Sequence, residues 1–556
     1  MANYNLCDEP WIRVKYLDGN IRDVSLTQIF EDAEKIEDVL PPVFRGDTVH
    51  IYYVLTLKLI TTIVMSAYFK EEQDFIAGSS TLRYAKELEE SGLFSNVIKE
   101  YLEKWHDRFD LYSETYPFLQ NALLKNDPDK KDEEKKEFIT WNPIAPAKSK
   151  PIFGKVLNID PEAKSIIDQY KISHKEFVYF LLYYAYMGNS FNAGNYKGRA
   201  SHWNSSIFAI LKRKNFAKSV LANVYPLDES TYPTEDEPNE RTDKPVWELE
   251  NVFEADYAEV RKNHLLMTFY PGISLLCVNA DDFGPAYVKW RAIETPHALD
   301  PEIIKKRLQE PTDPSVIMTI SKADDQDDNK KPILDENGKN VKRIYYGGLD
   351  YEKCNDVHLM CIEATKTLSI GDNNRISCPI LKRLDDLSDD IEVYIYYRTF
   401  TDQKAGMRSF GVVDGRNSET WRLINQNDKH KIAEFYSNYC KDVSSILRKQ
   451  LKKCISSDKN FKRDFDLCVT QDFFGNFTRD LSLENEEILK NFIRRIYQKG
   501  LEIFDQQAKY SKNYFEMVLA RNNASETIKR KGNSLLKKYK KEEVCFNESA
   551  NDNGTN

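Results

Sequence analysis

Apolar and polar residues alternate near the start of the chain and then give way to longer apolar stretches. The alternation over residues 10–26, on either side of Asp18-Gly19-Asn20, predicts a β-hairpin. The apolar stretch 47–69 begins at an aspartate suited to N-capping and predicts a buried helix. Residues 81–105 have apolar positions at helical spacing among charges, which predicts an amphipathic helix, and residues 174–187 predict a second core helix.

The middle of the chain, roughly residues 265–413, has a pattern typical of short strands. Asn337-Gly338 precedes the apolar run 341–346, a combination that favours a hairpin turn followed by a strand. Residues 391–400 give the clearest strand pattern, and residues 407–413 have the composition of its return partner. We therefore expect this region to be rich in β-structure.

After about residue 418 the strand pattern ends, and long segments with a helical period follow. In one of them, apolar residues recur on a single stripe at Ile488, Phe492, Ile496 and Ile503. Similar segments cover 428–455, 460–480 and 509–540. Four helices joined by short connections predict an antiparallel bundle.

These patterns together predict an α+β protein, with a large mixed α/β N-terminal domain followed by a C-terminal antiparallel four-helix bundle. We expect the first domain over 1–417, the bundle over 418–541 and a disordered polar tail over 542–556. The length agrees with this division, because one hydrophobic core rarely serves 556 residues.

Three polar segments interrupt the first domain. Residues 126–137 have mixed charges and predict a solvated loop or a frayed helix. Residues 138–155 include three prolines and therefore predict an extended or looped segment. Residues 228–243 are strongly acidic and predict a surface loop.

Charge and cysteine usage limit the classes of protein that fit. A net charge of −9 argues against coating nucleic acid by overall charge, so local basic segments matter more than the sum. The start of the chain lacks the pattern of a signal peptide, and His50 and Lys58 interrupt the most apolar stretch. The nine cysteines include no Cys-x-x-Cys pair, which favours free thiols in a reducing compartment. We expect a soluble, cytoplasmic protein.

Sequence motifs for catalysis are absent. The chain has no P-loop, no His-Glu-x-x-His and no Gly-x-Ser-x-Gly, and its eight histidines do not pair at ligand spacing. The many acidic residues leave one enzymatic alternative open, a metal-dependent nuclease or phosphohydrolase whose site has no recognised motif.

A glycine-rich segment, residues 188–203, has the composition of a phosphate-contacting loop. Glycine lets a backbone approach a phosphate closely, and Lys197 and Arg199 supply positive charge. The alternative is an ordinary loop between a helix and a strand.

Two further segments have residue types suited to nucleic acid. The tip between the two predicted strands carries Asp402 and Gln403, and a glutamine side chain can hydrogen-bond base edges; the alternative is a solvated turn. Residues 529–541 contain seven Lys or Arg and no acid, which fits either a phosphate-tracking patch or a solvated helix end that complements the helix dipole.

Several segments, in this order along the chain, resemble the CasA family, the large subunit of the type I-E CRISPR Cascade complex. They are the opening NLCDEPWIRVKYLDGNIRDVSLTQIF, TYPFLQ at 115–120, the glycine-rich segment with NYKGR, Asp402-Gln403, and YFEMVLARNNASETIKR near the end. The resemblance is collinear to about residue 540.

The resemblance implies a non-catalytic subunit that recognises the protospacer-adjacent motif in double-stranded DNA and starts duplex opening with a glutamine wedge. It implies contacts with the backbone, small and guide-end Cascade subunits, with crRNA, and with a helicase–nuclease recruited for antiviral defence. Some family members carry a cysteine-rich metal-binding insert. Here Cys277 stands alone, so we expect no zinc and no cofactor.

The resemblance also implies individual DNA-contacting residues. Gln403 matches the wedge glutamine, and Asp402 replaces the asparagine beside it. Gly194 matches one of two DNA-facing glycines. Trp141 and Asn142 match an aromatic–asparagine pair in a flexible loop.

Reading of the minor groove falls, by the same resemblance, to one basic residue. Lys289 is the best match, and Arg291 is the next candidate.

Overall fold

The structure is a computed structural model. Its described residues are 3–40, 49–69, 92–125, 136–138, 173–187, 191–193, 196–198, 208–224, 244–250, 269, 273–292, 315–316, 318–324, 332, 334, 338–340, 342–348, 375–382, 391–402, 407–417, 427–455, 459–509 and 513–552.

The chain divides into two compact units. The first comprises Met1–Glu352 and Thr367–Val412, and the second comprises Lys353–Lys366 and Val413–Asn556. The described elements of the first unit mix helices and strands, whereas those of the second are mainly helices. The predicted α+β class with a helical C-terminal region is thereby confirmed.

The described strands occupy the first three quarters of the chain. In chain order they are β1 (Ile12–Tyr16), β2 (Ile21–Val24), β3 (Ile36–Leu40), β4 (Lys136–Phe138), β5 (Phe191–Ala193), β6 (Tyr196–Gly198), β7 (Phe208–Lys212), β8 (Ile273–Ala280), β9 (Pro285–Ala292), β10 (Met318–Asp324), β11 (Lys342–Gly348), β12 (Arg375–Ser377), β13 (Glu392–Asp402) and β14 (Met407–Asn417).

The described α-helices differ widely in length, and the three longest lie in the second unit. In chain order they are α1 (Leu26–Glu31), α2 (Val49–Phe69), α3 (Asn96–Trp105), α4 (His174–Met187), α5 (Phe216–Asn223), α6 (Pro379–Lys382), α7 (Asn427–Cys454), α8 (Lys459–Asp472), α9 (Thr478–Asp480), α10 (Asn485–Ala508) and α11 (Tyr514–Asp552). None of them has the length and apolar composition required to cross a bilayer.

The predicted N-terminal hairpin is present as the antiparallel pair β1–β2, and β3 completes a sheet of order β2-β1-β3. Gly19 adopts φ +88° in the turn, a conformation that glycine reaches without steric cost. The adjoining α1 begins at a capping box in which the Ser25 hydroxyl accepts from the Gln28 backbone N–H. Local sequence therefore accounts for this sheet.

The apolar helices α2 and α4 lie in the core of the first unit. Nearly all of α2 is buried, and it packs against α3, α4, α5 and β3. The buried amine of Lys58 donates to the Ser315 hydroxyl at 2.7 Å, and the Thr56 and Tyr179 hydroxyls bond at 3.1 Å. These three polar side chains of α2 and α4 are thus hydrogen-bonded within the core.

The helix predicted over 81–105 is shorter in the described region. Gly92 adopts φ +85°, and the Ser95 hydroxyl accepts from the Ile98 backbone N–H, so α3 begins at Asn96. Residues 81–91 of that prediction lie outside the described residues, as do residues 228–243.

The β-rich middle of the chain is confirmed and forms small sheets. Their strand orders are β4-β9-β8, β11-β10-β12, β14-β13-β7 and the pair β5-β6. The predicted strands 391–400 and 407–413 both extend further, to Asp402 and Asn417. The prediction of a loop or frayed helix over 126–137 is wrong at its end, because residues 136–138 pair with β9.

The second unit contains the predicted helical bundle. Contacts between α10 and α11 join Asp505 to Arg521 and Glu486 to Lys540, so residue numbers rise in opposite directions along the two helices. The stripe predicted at 488–503 is buried, as its four apolar residues are all less than a tenth exposed.

The bundle also differs from the prediction at its end. Helix α11 continues to Asp552, so the predicted disordered tail over 542–556 is wrong for residues 542–552. This segment has no proline or glycine to end the helix, and it contains two consecutive glutamates, which are good helix formers.

Candidate nucleic-acid interface

Strand β9 carries both basic residues that were predicted to read the minor groove. It is the central strand of the β4-β9-β8 sheet, and Lys289 pairs with Leu276 of β8 on one side and with Lys136 of β4 on the other. Arg291 pairs with Ser274. The backbone register thus places two lysines at directly paired positions of β4 and β9.

The glycine-rich segment lies beside the same strand. Residues 191–193 and 196–198 form the β5–β6 hairpin, with Lys197 paired to Asn192, and this hairpin contacts β9. These residues thus form a short strand pair of their own in the connection between α4 and β7. Gly194 and Arg199 lie outside the described residues.

A third predicted DNA-contacting segment, the aromatic–asparagine pair, follows strand β4. Trp141 and Asn142 lie outside the described residues, but they follow β4 closely in the sequence, and β4 pairs with β9. We call β4, β9, β8 and the β5–β6 hairpin the basic sheet. Lys197, Lys289 and Arg291 all lie on its strands.

The predicted wedge belongs to a different sheet. Asp402 is the last residue of β13, and Gln403 lies outside the described residues. The base of this hairpin is firmly packed, since Ile391 and Val393 are buried and β13 pairs along its first half with the buried strand β7. The sequence interpretation of Asp402 as a tip residue is therefore wrong, because its backbone belongs to the strand.

Sequence reasoning missed the residues that hold the turn between β8 and β9. The Asp281 carboxylate accepts from the Phe283 and Gly284 backbone N–H groups at 2.9 and 3.1 Å. The His174 backbone N–H donates to the Phe283 carbonyl at 3.1 Å. The Asp-Asp-Phe-Gly sequence at 281–284 is the signal that could have identified this side-chain-capped turn.

The ring of His174 makes a second link to this turn. Its Nε2 lies 3.2 Å from the Asp282 carbonyl oxygen, which can only accept, so Nε2 carries the hydrogen. Its Nδ1 then accepts from the Tyr112 hydroxyl at 2.7 Å. Burial lowers the pKa of His174 below its ordinary value of 6.5, although the Asp282 carbonyl and nearby carboxylates act in the opposite direction. The neutral ring thus connects α4 to the hairpin.

The basic segment 529–541 lies on α11, and much of its charge is used within the bundle. Lys531 pairs with Asp442 at 3.1 Å, and Lys540 pairs with Glu486 at 3.1 Å. The amines of Lys529 and Lys538 lie over the rings of Tyr497 and Phe435. These contacts favour the structural interpretation for four of the seven basic residues.

In the described part of the chain, no group of three or more His, Cys, Asp or Glu side chains is arranged to hold a metal ion. Six cysteines of this part of the chain form no disulfide bond: Cys7, Cys277, Cys378, Cys440, Cys454 and Cys468.

A family model described as CRISPR-associated protein Cse1 matches residues 5–344 of the chain. No curated protein matches the sequence. Solved structures match along nearly all of it, at identities that establish a shared fold alone.

Three of these structures illustrate the match. Thermus thermophilus CasA (Cse1) is 14% identical with a TM-score of 0.59, and the match covers 96% of this chain and 100% of that one. Thermobifida fusca Cse1 is 14% identical with a TM-score of 0.59, covering 96% and 98%. A chain of a CRISPR RNA-guided surveillance complex is 12% identical with a TM-score of 0.60, covering 95% and 100%.

Proposed function

Because the chain belongs to the Cse1 family of CRISPR-associated proteins, we propose that it is the DNA-recognition subunit of a CRISPR RNA-guided surveillance complex. In this role it reads the protospacer-adjacent motif on double-stranded DNA and does not cut the DNA itself. Pairing between guide RNA and target strand then reads the remaining sequence. Its partners are the other complex subunits, crRNA, target DNA and a recruited helicase–nuclease, which docks on this subunit.

The observation that carries this proposal is the convergence of separate segments on the basic sheet. Lys197, Lys289 and the strand leading to Trp141 and Asn142 are far apart in sequence, yet β9 contacts or pairs with both neighbouring elements. Lys197 was predicted to contact DNA from the composition of its segment, and Lys289, Trp141 and Asn142 from the resemblance to the CasA family. A chain with a net charge of −9 needs such a local basic surface to approach phosphate.

The β13–β14 hairpin supports the second part of the role, the opening of the duplex. Its strands form a firm base, and Gln403 follows the last residue of β13. Glutamine is uncharged and can hydrogen-bond either strand of an opened base pair. We assign Gln403 as the wedge and the basic sheet as the motif reader.

The assignment of the basic sheet as the motif reader is tested by measuring how target duplexes bind to the reconstituted complex. Lys289→Ala and Arg291→Ala should each be compared with Lys99→Ala, which removes an exposed lysine on α3 whose ion pair with Glu103 is 4.0 Å long. Loss of the reading residue should weaken binding to tagged duplex by about 1–3 kcal/mol and reduce discrimination against untagged duplex. Unchanged discrimination in both strand variants would remove β9 from the reading surface.

The wedge is tested in the same complex by the rate of strand opening. Opening the first base pair costs about 1–2 kcal/mol, so Gln403→Ala should slow opening and leave the ranking of tags intact. A target with its first pairs already mismatched should restore the rate. Reordered tag preference, or no rescue, would contradict the assignment.

A separate experiment on the isolated chain tests the enzymatic alternative. The isolated chain is incubated with plasmid and a divalent metal ion, with and without a chelator. Metal-dependent cleavage that survives repurification would favour the nuclease or phosphohydrolase over the proposed role.

A further inference from the structure

The segment TYPFLQ, residues 115–120, ends in an unusual buried turn. Leu119 adopts φ +53° and is the one non-glycine residue with positive φ in the described part of the chain. Its side chain is 9% exposed, so the chain keeps a large apolar residue in a conformation that favours glycine. Such a conformation persists only where the surroundings fix it. The residue that follows Leu119 in the chain is Gln120.

Gln120 is buried and uses both ends of its amide. Its Nε2 donates to the Leu111 carbonyl at 2.7 Å and lies 3.4 Å from the Phe118 carbonyl. Its Oε1 accepts from the Cys277 backbone N–H at 2.7 Å. The side chain therefore joins the turn to strand β8, across more than 150 residues of sequence.

The position of this contact on β8 is informative. β8 is the edge strand of the β4-β9-β8 sheet, and its register with β9 shifts between Cys277 and Asn279. An edge strand at a bulge depends on partners outside the sheet to keep its register. Gln120 supplies such a partner at the residue where the shift begins.

The contact also lies next to the candidate reading residue. Cys277 pairs with Val288, and the preceding residue, Leu276, pairs with Lys289. A fixed Cys277 backbone therefore fixes the stretch of β9 that contains Lys289.

The other side of the turn is tied to the N-terminal segment. The Phe118 backbone N–H donates to the Asp110 carbonyl at 2.9 Å, and the Leu111 N–H donates to the Tyr4 carbonyl at 2.9 Å. Gln120 thus connects β8 to the backbone network that includes the first residues of the chain.

We propose that Gln120 is a positioning residue that holds the edge strand β8 in register and thereby fixes β9, with Lys289, in the orientation that nucleic acid requires. The part that concerns nucleic acid rests on the proposed function. The part that concerns β9 stands on the hydrogen bonds and the register.

The first arm of the test measures amide hydrogen exchange in the isolated full-length chain. Gln120→Leu keeps a side chain of similar size and removes both ends of the clamp. Amides of residues 273–292 should exchange about tenfold faster, while those of the β1–β2 hairpin should not change. Gln120→Asn, which is one methylene too short to span both contacts, should give the same pattern to a smaller degree and serves if Gln120→Leu does not fold.

The matched control is Tyr101→Phe. The Tyr101 hydroxyl is also buried in this unit, where it donates to the Glu248 carboxylate at 2.7 Å and accepts from the Trp247 indole N–H at 2.9 Å. Its loss should reduce stability without selectively speeding exchange in residues 273–292. If Gln120→Leu resembles this control, the clamp does not position β9 and the proposal is wrong.

The second arm measures duplex binding by the reconstituted complex in a double-mutant cycle. Gln120→Leu alone should weaken binding to tagged duplex about tenfold and reduce discrimination against untagged duplex, as Lys289→Ala should. In the presence of Lys289→Ala, the added effect of Gln120→Leu should largely vanish. Additive effects would contradict positioning through Lys289.

The two arms separate the two proposals. If exchange is faster in residues 273–292 and neither Lys289→Ala nor Arg291→Ala affects binding, the proposed reading function fails and the clamp on β9 stands. If Lys289→Ala weakens binding and Gln120→Leu does not, the clamp has no role in positioning and the reading function stands.

Discussion

His174 makes the first unit sensitive to acid. Its folded-state pKa lies below the ordinary value of 6.5, chiefly because burial disfavours the charged ring. Protons therefore bind more readily to the unfolded chain, and the free energy of unfolding should fall as pH drops below about 6.5, by at most about 1.4 kcal/mol per pH unit for one proton. Above that pH both states are neutral at this residue, and its contribution is constant.

The measurement is chemical denaturation between pH 5 and 8. His174→Gln should flatten the profile below pH 6.5, because the side chain no longer titrates. His106→Gln, which changes an exposed histidine of the same unit, is the control. Equal flattening in both variants would show that the effect is not specific to His174.

Single residues were predicted from sequence only where their chemistry is local. Gly19 acts on neighbours within a few positions, and the Asp18-Gly19-Asn20 sequence alone identifies such a turn. Gln120 and His174 act on backbone more than 100 residues away. A glutamine or histidine in sequence carries no sign of such a partner, so the residues that hold the β8–β9 hairpin could not be predicted.

At the scale of elements, Gly500 of α10 lies where this helix packs closely against α7 and α8. A Cβ placed there would lie 2.8 Å from Leu447 Cδ1, 3.2 Å from Val443 Cγ1 and 3.3 Å from Phe465 Cε2. Alanine is favoured over glycine in a helix by about 1 kcal/mol, but overpacking costs about 1–3 kcal/mol. Gly500→Ala should therefore destabilise the protein by roughly 1 kcal/mol.

Gly532→Ala on α11 is the matched comparison. Its added Cβ would lie 2.8 Å from one methyl group, Ile493 Cγ2, and 3.4 Å from the next atom, the Tyr439 hydroxyl oxygen. A single methyl can move more easily than three neighbours, so this substitution should cost less. Denaturant unfolding of both variants checks the order, and a larger loss for Gly532→Ala would contradict the packing argument.

Element type was predicted well where the periodic pattern was long, and boundaries were predicted less well. The four long helices and the β13–β14 pair follow from period alone. The short strands β4, β5 and β6 do not, because three residues carry no periodic signal and their pairing is what makes them strands. The start of α3 was misplaced because Gly92 and Ser95 outweigh the apolar residues before Asn96.

At the scale of the whole molecule, the resemblance to the CasA family drawn from dispersed motifs is confirmed by the family match. The basic sheet could not be predicted, because β4 and β9 are separated by about 150 residues and no local pattern specifies their pairing. The family could be recognised because the order of its motifs along the chain is visible in the sequence. The pairing of distant strands could not be predicted, because proximity in space is not visible there.

The second unit should fold without the first. Its core is formed among its own helices: the Tyr436 ring packs against Phe473, Phe477 and Phe492 with centroids 4.8–5.5 Å apart. Beside this cluster, the Arg495 guanidinium bonds the carboxylates of Asp472 and Asp480 at 2.8 and 2.6 Å.

A fragment of residues 413–556 should therefore show strong helical circular dichroism and a cooperative unfolding transition. Gly500→Ala provides an internal check, because its packing neighbours all lie within the fragment. The loss of unfolding free energy should then agree between fragment and full chain to within about 0.5 kcal/mol. A fragment with little helical signal, or one in which Gly500→Ala has no effect, would mean that the bundle depends on the rest of the chain for its packing.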